Sequence, residues 1–153
     1  MFRHILTATD GSDWAGKGVT KAIGLAAALN AKLTVVMASE SYPDYLYAAD
    51  LSPYAGTVFT PEQMETNRTA MQSHADEVLA LVSEEARKQG VHPRLLYVPN
   101  THPAVAITEK AAEEGCDLIV IGSRGRRGIT KLVLGSQAAE VLAGTQLPVM
   151  IVK

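Results

Sequence analysis

The sequence contains a single cysteine and no long apolar run. Cys116 alone cannot form a disulfide within the chain, and a lone cysteine suits a protein kept in a reducing cytosol. No stretch approaches the roughly 18 apolar residues of a membrane-spanning helix, and the apolar stretch near Met1 is too short for a signal peptide. We therefore expect a cytoplasmic protein that does not bind a membrane.

The sequence also has no large excess of charge of one sign. It contains 14 Lys and Arg and 16 Asp and Glu, which gives a net charge of −2. The chain thus lacks the overall positive field that attracts nucleic acid, and we expect no nucleic-acid partner. The 47% hydrophobic and 20% charged fractions are those of a globular protein. A length of 153 residues, with no internal repeat, predicts one domain over residues 1–153.

Five short apolar segments are predicted to be strands, and they alternate with helical patterns. The predicted strands are residues 4–9, 32–38, 94–98, 117–121 and 148–152. The last two are nearly continuous apolar runs, which is typical of parallel strands covered on both faces. This alternation predicts an α/β fold with a parallel sheet and right-handed crossovers.

Four helices are predicted between the strands. The first follows the N-cap cluster at 10–13, and the second begins with the capping box of Thr60 and Gln63. The third is expected from near Pro103 to Gly115, and the fourth around residues 138–142. Apolar residues at helical spacing support the first two helices: Ala15, Val19, Ala22, Ile23 and Ala26 in one, and Met71, Ala75, Val78, Leu79, Val82 and Ala86 in the other.

The connector from Ser39 to Phe59 is unusually long and holds four of the five tyrosines. A loop of this length is commonly a functional lid or a disordered insert. Its tyrosines suggest packing against a partner subunit or a ligand. A cover over the protein's own core explains them equally well.

Glycine and basic residues are concentrated between Gly122 and Ser136, directly after the fourth predicted strand. Ligands of open α/β sheets bind at this carboxyl end, where the strand order reverses. Glycines allow backbone N–H groups to approach phosphate oxygens, and the start of the last helix at Gly135 and Ser136 favours anions. A phosphate-binding loop is favoured over a solvated turn. Four basic residues add positive charge: Arg124, Arg126, Arg127 and Lys131.

A second candidate segment, Asp10 to Ser12, follows the first predicted strand. The Asp10 carboxylate could accept hydrogen bonds from a ribose or hold Mg²⁺ beside phosphates. The alternative is that Asp10 and Ser12 only cap the first helix. The motif G-x-x-x-x-G-K-[ST] is absent, as is G-x-G-x-x-G after the first strand.

These residues resemble the ATP-binding branch of the universal stress protein family, from Ile5–Ser12 to Leu147–Lys153. The nucleotide motif of that branch is G, two residues, G, nine residues, then G and Ser or Thr. Gly122, Gly125, Gly135 and Ser136 match it. The resemblance implies a single-domain open parallel sheet of five strands in the order 3-2-1-4-5, with helices on both faces. It also implies the adenine nucleotide alpha hydrolase-like fold and, usually, a dimer.

The resemblance further implies where ATP and Mg²⁺ would bind. Asp10 would lie near the ribose and the metal ion, and main-chain groups of Ala38 would hold the adenine. The remaining implied site residues are Ala8 and Thr9 in the pocket wall, Ser123, Arg124 and Gly125 near the ribose and phosphates, and Gly135, Ser136 and Gln137 at the phosphate tail. Two departures are Met37–Ala38 where His–Val is frequent, and Thr101 where glycine precedes the third helix.

We therefore expect a nucleotide-dependent regulatory or stress-response protein that binds ATP. The alternative is an enzyme that hydrolyses ATP slowly or transfers an adenylyl or phosphoryl group in the same cleft. No compact catalytic constellation supports it, and the four histidines are expected to be structural or solvated. A phospho-accepting receiver domain is discounted, because Val98-Pro99-Asn100 supplies no acceptor carboxylate after the third strand.

The last strand suggests a homodimer. Residues Pro148 to Lys153 are apolar and, in the implied order, lie at a sheet edge. An exposed apolar edge favours association unless something covers it, and two copies related by a two-fold axis can pair antiparallel. The alternative is an edge covered by the protein's own loops, such as residues 39–59.

Overall fold

Five parallel strands form one sheet in the computed structural model, which describes residues 1–40, 60–124 and 134–153. The sheet order is β3-β2-β1-β4-β5, as the family resemblance implies, and each neighbouring pair is parallel. The tyrosine-rich part of the 39–59 connector lies outside the described residues. The strands are β1 (His4–Ala8), β2 (Lys32–Ala38), β3 (Arg94–Val98), β4 (Leu118–Gly122) and β5 (Val149–Val152).

Helices cover both faces of the sheet, as predicted. Because side chains alternate along a strand, Ile5 packs with α1 and α2 on one face, while Leu6 packs with α3 and α4 on the other. None of the described helices is both long and apolar enough to cross a membrane. The helices are α1 (Asp13–Leu29), α2 (Pro61–Lys88), α3 (Pro103–Glu113) and α4 (Ser136–Gly144).

The predicted starts of the first two helices are confirmed by hydrogen bonds. The Ser12 hydroxyl accepts a hydrogen bond from the Ala15 N–H at 3.2 Å, which caps α1. At the start of α2, Thr60 and Gln63 form the reciprocal capping box, with distances of 2.8 and 3.2 Å. All five residues of the apolar face predicted for the first helix are buried. Caps and periodicity therefore predicted these two elements.

The predicted start of the fourth strand was wrong by one residue, because Asp117 binds the backbone near the start of β1 instead of beginning the strand. Its carboxylate accepts hydrogen bonds from the backbone N–H groups of Arg3 and His4, at 2.9 and 3.0 Å, so that the strand begins at Leu118. Burial alone would raise the pKa of the Asp117 carboxyl, but these N–H donors hold that pKa below its ordinary value. The first and last strands also lose one predicted residue each, at positions 9 and 148.

The expectation that the fifth strand is covered on both faces is not met within one chain. No residue of β5 is fully buried, and Met150 is 37% exposed. The physical reason is the strand order, which leaves β5 at an edge with β4 as its neighbour in the sheet. An apolar sequence alone does not distinguish an edge strand from a central one.

Cys116 is buried before β4, as expected for a small core residue, with 6% of its surface exposed. Burial, together with the charges of Glu114 and Asp117, raises the pKa of its thiol to about 11, although a hydrogen bond with Thr34 opposes the shift. The unfolded thiol loses its proton at lower pH than the folded one. The contribution of this thiol to the stability of the fold is therefore fully present below pH 9. It is lost as the pH rises toward 11.

We expect the native Cys116 thiol to react with a disulfide reagent at pH 8 at least about 100-fold more slowly than the unfolded chain, because the thiolate is the reactive form. The absorbance of the released thiolate, followed with and without urea, measures both rates. Equal rates in the two states would contradict the buried placement.

Candidate functional site

A cavity of about 770 Å³ lies at the carboxyl ends of β1, β2 and β4. In the sheet, β2 lies on one side of β1 and β4 lies on the other side. The cavity therefore occupies the point where the strand order reverses. Residues of α2 form one wall, and residues of α3 and α4 form the opposite wall. This volume falls within the range of about 300–1,000 Å³ found for small-molecule sites.

Most of the predicted site residues line this one cavity. Ser123 is buried beside it, 3% exposed, and its N–H donates to the Val152 carbonyl oxygen at 2.7 Å. Gly125 lies outside the described residues, together with Arg126, Arg127 and Lys131. The predicted residues that line the cavity are Ala8, Thr9, Asp10, Ala38, Gly122, Arg124, Gly135, Ser136 and Gln137.

Asp10 both supports the start of α1 and lines the cavity. Its Oδ1 accepts a hydrogen bond from the Ser12 N–H at 2.9 Å, and Thr9 Oγ1 accepts one from the Gly11 N–H at 3.1 Å. Gly11 has a φ of 80°, which turns the chain sharply after β1. Asp10 therefore combines a role at the helix start with a place in the cavity lining, which the sequence posed as alternatives.

The peptide group of Ala38 faces the edge of β2 where β1 lies, but β1 ends before it reaches the level of Ala38. The Val36 carbonyl accepts a hydrogen bond from the Thr9 N–H at 3.0 Å, so Val36 faces β1. Ala38, two residues further, faces the same way, whereas the Ser39 N–H points to β3 and donates to Val98. Because β1 ends at Ala8, this main-chain edge borders the cavity.

Sequence reasoning missed the wall that α2 contributes. The helix has 28 residues, and its first buried residue is Ala75, so its first half extends past the core. Ala70, Met71 and His74 line the cavity from this half. The apolar stripe through Met71 was a signal for a helix face, but periodicity does not tell whether that face covers the core or a cavity.

Part of the cavity wall is apolar, with Ile107 and Pro103 of α3 among the lining residues. Here the Ser39 hydroxyl and the Tyr97 phenol are hydrogen-bonded at 2.7 Å. Tyr97 is the one tyrosine outside the 39–59 connector, and no sequence motif predicted a role for it. The cavity thus combines apolar wall residues with polar groups of Asp10 and α4.

Gly122 and Gly135 are required by close packing of the chain itself. A Cβ on Gly122 would overlap the Trp14 carbonyl oxygen, and one on Gly135 would lie 2.9 Å from the Ser123 oxygen. Moreover, the Gly135 N–H donates to that Ser123 oxygen at 2.7 Å. Phosphate approach is the reason that the sequence suggests for these glycines, but the described contacts give them a structural reason.

The start of α4 presents backbone N–H groups that can bind an anion. The first N–H groups of any helix have no acceptor within the helix, and here they belong to Ser136, Gln137 and Ala138, which all line the cavity. Gly135 provides no side-chain cap for them. Gln137 Oε1 is also buried without a hydrogen-bond partner among the described residues. Such an oxygen calls for a donor beyond the described residues.

Arg124 brings positive charge to the same end of the cavity. Its guanidinium lies over the ring of Trp14, 4.9 Å from the ring centroid. At the rim, His102 Nε2 lies 3.5 Å from Glu40 Oε1 and 3.4 Å from Glu140 Oε2. Within the described ranges, no group of three or more acidic, histidine or cysteine side chains is arranged to hold a metal ion.

Known proteins resemble this chain over its full length. A model of the universal stress protein family matches residues 1–153. Universal stress protein YxiE of Bacillus subtilis is 32% identical over 154 residues, covering 100% of both chains. A Thermus aquaticus protein, the universal stress protein in the QAH/OAS sulfhydrylase 3′ region, is 35% identical over 153 residues, again covering 100% of both. A solved universal stress protein in complex with cAMP is 25% identical, with a TM-score of 0.67, and covers 99% of this chain and 96% of its own.

Proposed function

The chain belongs to the universal stress protein family, and from this we propose that it binds ATP in the cavity and acts as a nucleotide-dependent regulatory protein. The observation that carries the proposal is the single cavity that joins the end of β1, the end of β2 and the start of α4. The similar structure solved with cAMP supports an adenine nucleotide as the ligand class. ATP in particular is suggested by the glycine motif and by Arg124 beside α4.

The apolar and polar lining of the cavity suits the two parts of ATP. In the proposed complex the adenine packs against Ile107 and hydrogen-bonds the main-chain edge at Ala38. The ribose meets Asp10. The phosphate tail reaches the first N–H groups of α4 and Arg124, because a helix N-terminus and a guanidinium both favour negative charge. Gln137 Oε1 obtains the donor it lacks from a ligand hydroxyl or amino group.

Mg²⁺ fits this arrangement as a companion of ATP. Magnesium sites commonly use one or two carboxylates together with substrate phosphates and water. In the proposed complex, Asp10 supplies the carboxylate and ATP supplies the phosphates, since Asp10 lines the same cavity. When bound, the ion would neutralise phosphate charge. Asp10 would hold it while its Oδ1 continues to accept the Ser12 N–H.

The decisive experiment identifies the ligand directly. Mass spectrometry of small molecules released from the denatured protein is expected to find an adenine nucleotide. In titrations of nucleotide-free protein, ATP with Mg²⁺ is expected to change the fluorescence of the single tryptophan, Trp14, because its ring lies under Arg124. Tighter binding of cAMP than of ATP would contradict the phosphate-tail assignment. Phosphate release at about 1–10³ s⁻¹ would instead favour the alternative of an ATP-hydrolysing enzyme.

We also propose that the protein forms a homodimer through β5 and the flanking residues Pro148 to Lys153. The support is the open edge of β5, where the peptide groups facing away from β4 have no neighbouring strand among the described residues. An edge of this kind, with apolar side chains, favours pairing with a second copy. The two-fold related strands would then extend the sheet across both subunits.

Met150→Lys is expected to convert the dimer to a monomer, because it places a charge at the exposed seam. Met150 is 37% exposed, whereas Val149 and Ile151 pack against the core of the α3 and α4 face. Lysine at those two positions would therefore disturb the core as well, and Met150 separates the two effects. Light scattering at micromolar concentration should show a halved mass. A wild-type protein that is already monomeric would contradict the proposal.

We further propose that residues 1–153 form one domain and that the protein works in the cytoplasm. Both helical layers pack on the same sheet, which supports a single domain. A buried thiol without a disulfide partner, Cys116, suits a reducing compartment. Limited proteolysis should yield no stable fragment comprising only one helical layer, and fractionation of cells should place the protein with the cytosol.

A further inference from the structure

Two cationic side chains, Lys17 and Arg124, lie over the ring of Trp14 in the first turn of α1. The Lys17 ammonium lies 4.2 Å from the ring centroid, and the Arg124 guanidinium lies 4.9 Å from it. Both distances are within the roughly 6 Å over which a cation is attracted to an aromatic face. Arg124 also lines the nucleotide cavity, whereas Lys17 does not.

The backbone that carries the indole is held by two contacts. Ser12 caps α1 through the Ala15 N–H, which determines where the first turn lies. The Trp14 carbonyl packs so closely on Gly122 that no side chain fits there. Arg124 comes two residues after Gly122, so the contact that joins α1 to β4 also brings the ring beneath the arginine.

We propose that Trp14 is a positioning residue that holds the Arg124 guanidinium toward the phosphate tail of the nucleotide, an inference that rests on the proposed function. A guanidinium stacked by its flat face keeps its N–H donors in the plane, directed outward, where they match phosphate oxygens in pairs. Stacking also restricts a long flexible side chain before the ligand arrives, so less conformational entropy is lost on binding.

The test is a double-mutant cycle with Trp14→Leu and Arg124→Gln, using calorimetric titration with ATP and with adenosine. Trp14→Leu is expected to weaken ATP binding about threefold to tenfold, in line with a cation–π contact, and to change adenosine binding less than twofold. Arg124→Gln alone is expected to weaken ATP binding about 10- to 100-fold. The double variant should bind ATP no more weakly than Arg124→Gln, because Trp14 acts through Arg124.

Two further variants separate positioning from a structural role. Trp14→Phe keeps an aromatic face and should retain most of the ATP affinity. Lys17→Gln removes the other cation on the ring and should leave ATP affinity within about twofold. Additive losses in the double variant, a parallel loss for adenosine, or a Lys17→Gln loss equal to that of Trp14→Leu would each overturn the inference while ATP binding stands. Failure of the wild-type protein to bind ATP would overturn the proposed function and this inference together.

Discussion

Replacing Gly18 by alanine is expected to destabilise the protein by about 3 kcal/mol, the cost of overpacking a tight core contact. The new Cβ would lie 2.5 Å from the Gly122 nitrogen and 2.8 Å from the Ile121 carbonyl carbon. Both are backbone atoms of β4, so no side chain can rotate away to make room. The outcome reverses the usual effect of this substitution, since alanine normally stabilises a helix by about 1 kcal/mol relative to glycine.

Two other glycines of α1 provide matched controls. An added Cβ at Gly16 or Gly24 meets no atom within 4 Å, so Gly16→Ala and Gly24→Ala are each expected to raise stability by about 0.5–1 kcal/mol. For a chain of this length, each kcal/mol shifts Tm by roughly 2–4 °C. Thermal unfolding of the three variants should therefore separate Gly18 from the other two. Equal stability of all three would disprove the close contact between α1 and β4.

Replacing Asp10 by alanine is expected to weaken binding of ATP with Mg²⁺ about 10- to 100-fold, because hydrogen bonds to charged groups contribute about 1.5–3 kcal/mol. The loss has two sources in the proposed complex, the ribose contact and the metal ion. The same variant should lose about 1 kcal/mol of stability, since Asp10 Oδ1 accepts the Ser12 N–H at the start of α1.

Asp10→Asn distinguishes these roles, because asparagine retains an acceptor oxygen for the Ser12 N–H but removes the charge. It should preserve the unfolding temperature and still bind ATP with Mg²⁺ poorly. Asp13→Asn is the matched control, since Asp13 carries the same charge in the first turn of α1 but does not line the cavity. Calorimetric titration with ATP, with and without Mg²⁺, measures the affinities. Unchanged affinity in both Asp10 variants would refute the proposed placement of the ribose and the metal ion.

Local signals in the sequence predicted most of the fold, because the physics behind them is local. The capping box at Thr60 and Gln63 involves residues three apart, and the period of apolar residues in α1 reflects one helix face. The prediction failed where a residue serves a distant segment. Asp117 reads as part of an apolar strand, yet it binds the backbone of Arg3 and His4 at the other end of the chain.

The candidate site was predictable only in part. Asp10 follows the first predicted strand, Ala38 ends the second, and Ser136 begins the last helix, so topology and the family motif bring them together at the carboxyl edge of the sheet. The α2 wall at Met71 and His74 was not predictable. Its place depends on how far a 28-residue helix extends past the sheet, and side-chain periodicity does not encode that distance.

The sequence by itself therefore determined the parallel α/β class, the helix starts and the segments that carry polar groups to one edge of the sheet. Only the tertiary structure decided why particular residues occupy those segments. Gly18 and Gly122 are glycines because α1 and β4 approach until a Cβ would overlap backbone. Trp14, in α1, likewise meets Arg124, which follows β4, only in the folded chain. Such contacts join elements distant along the chain, and the space left for a side chain exists only once both backbones are in place.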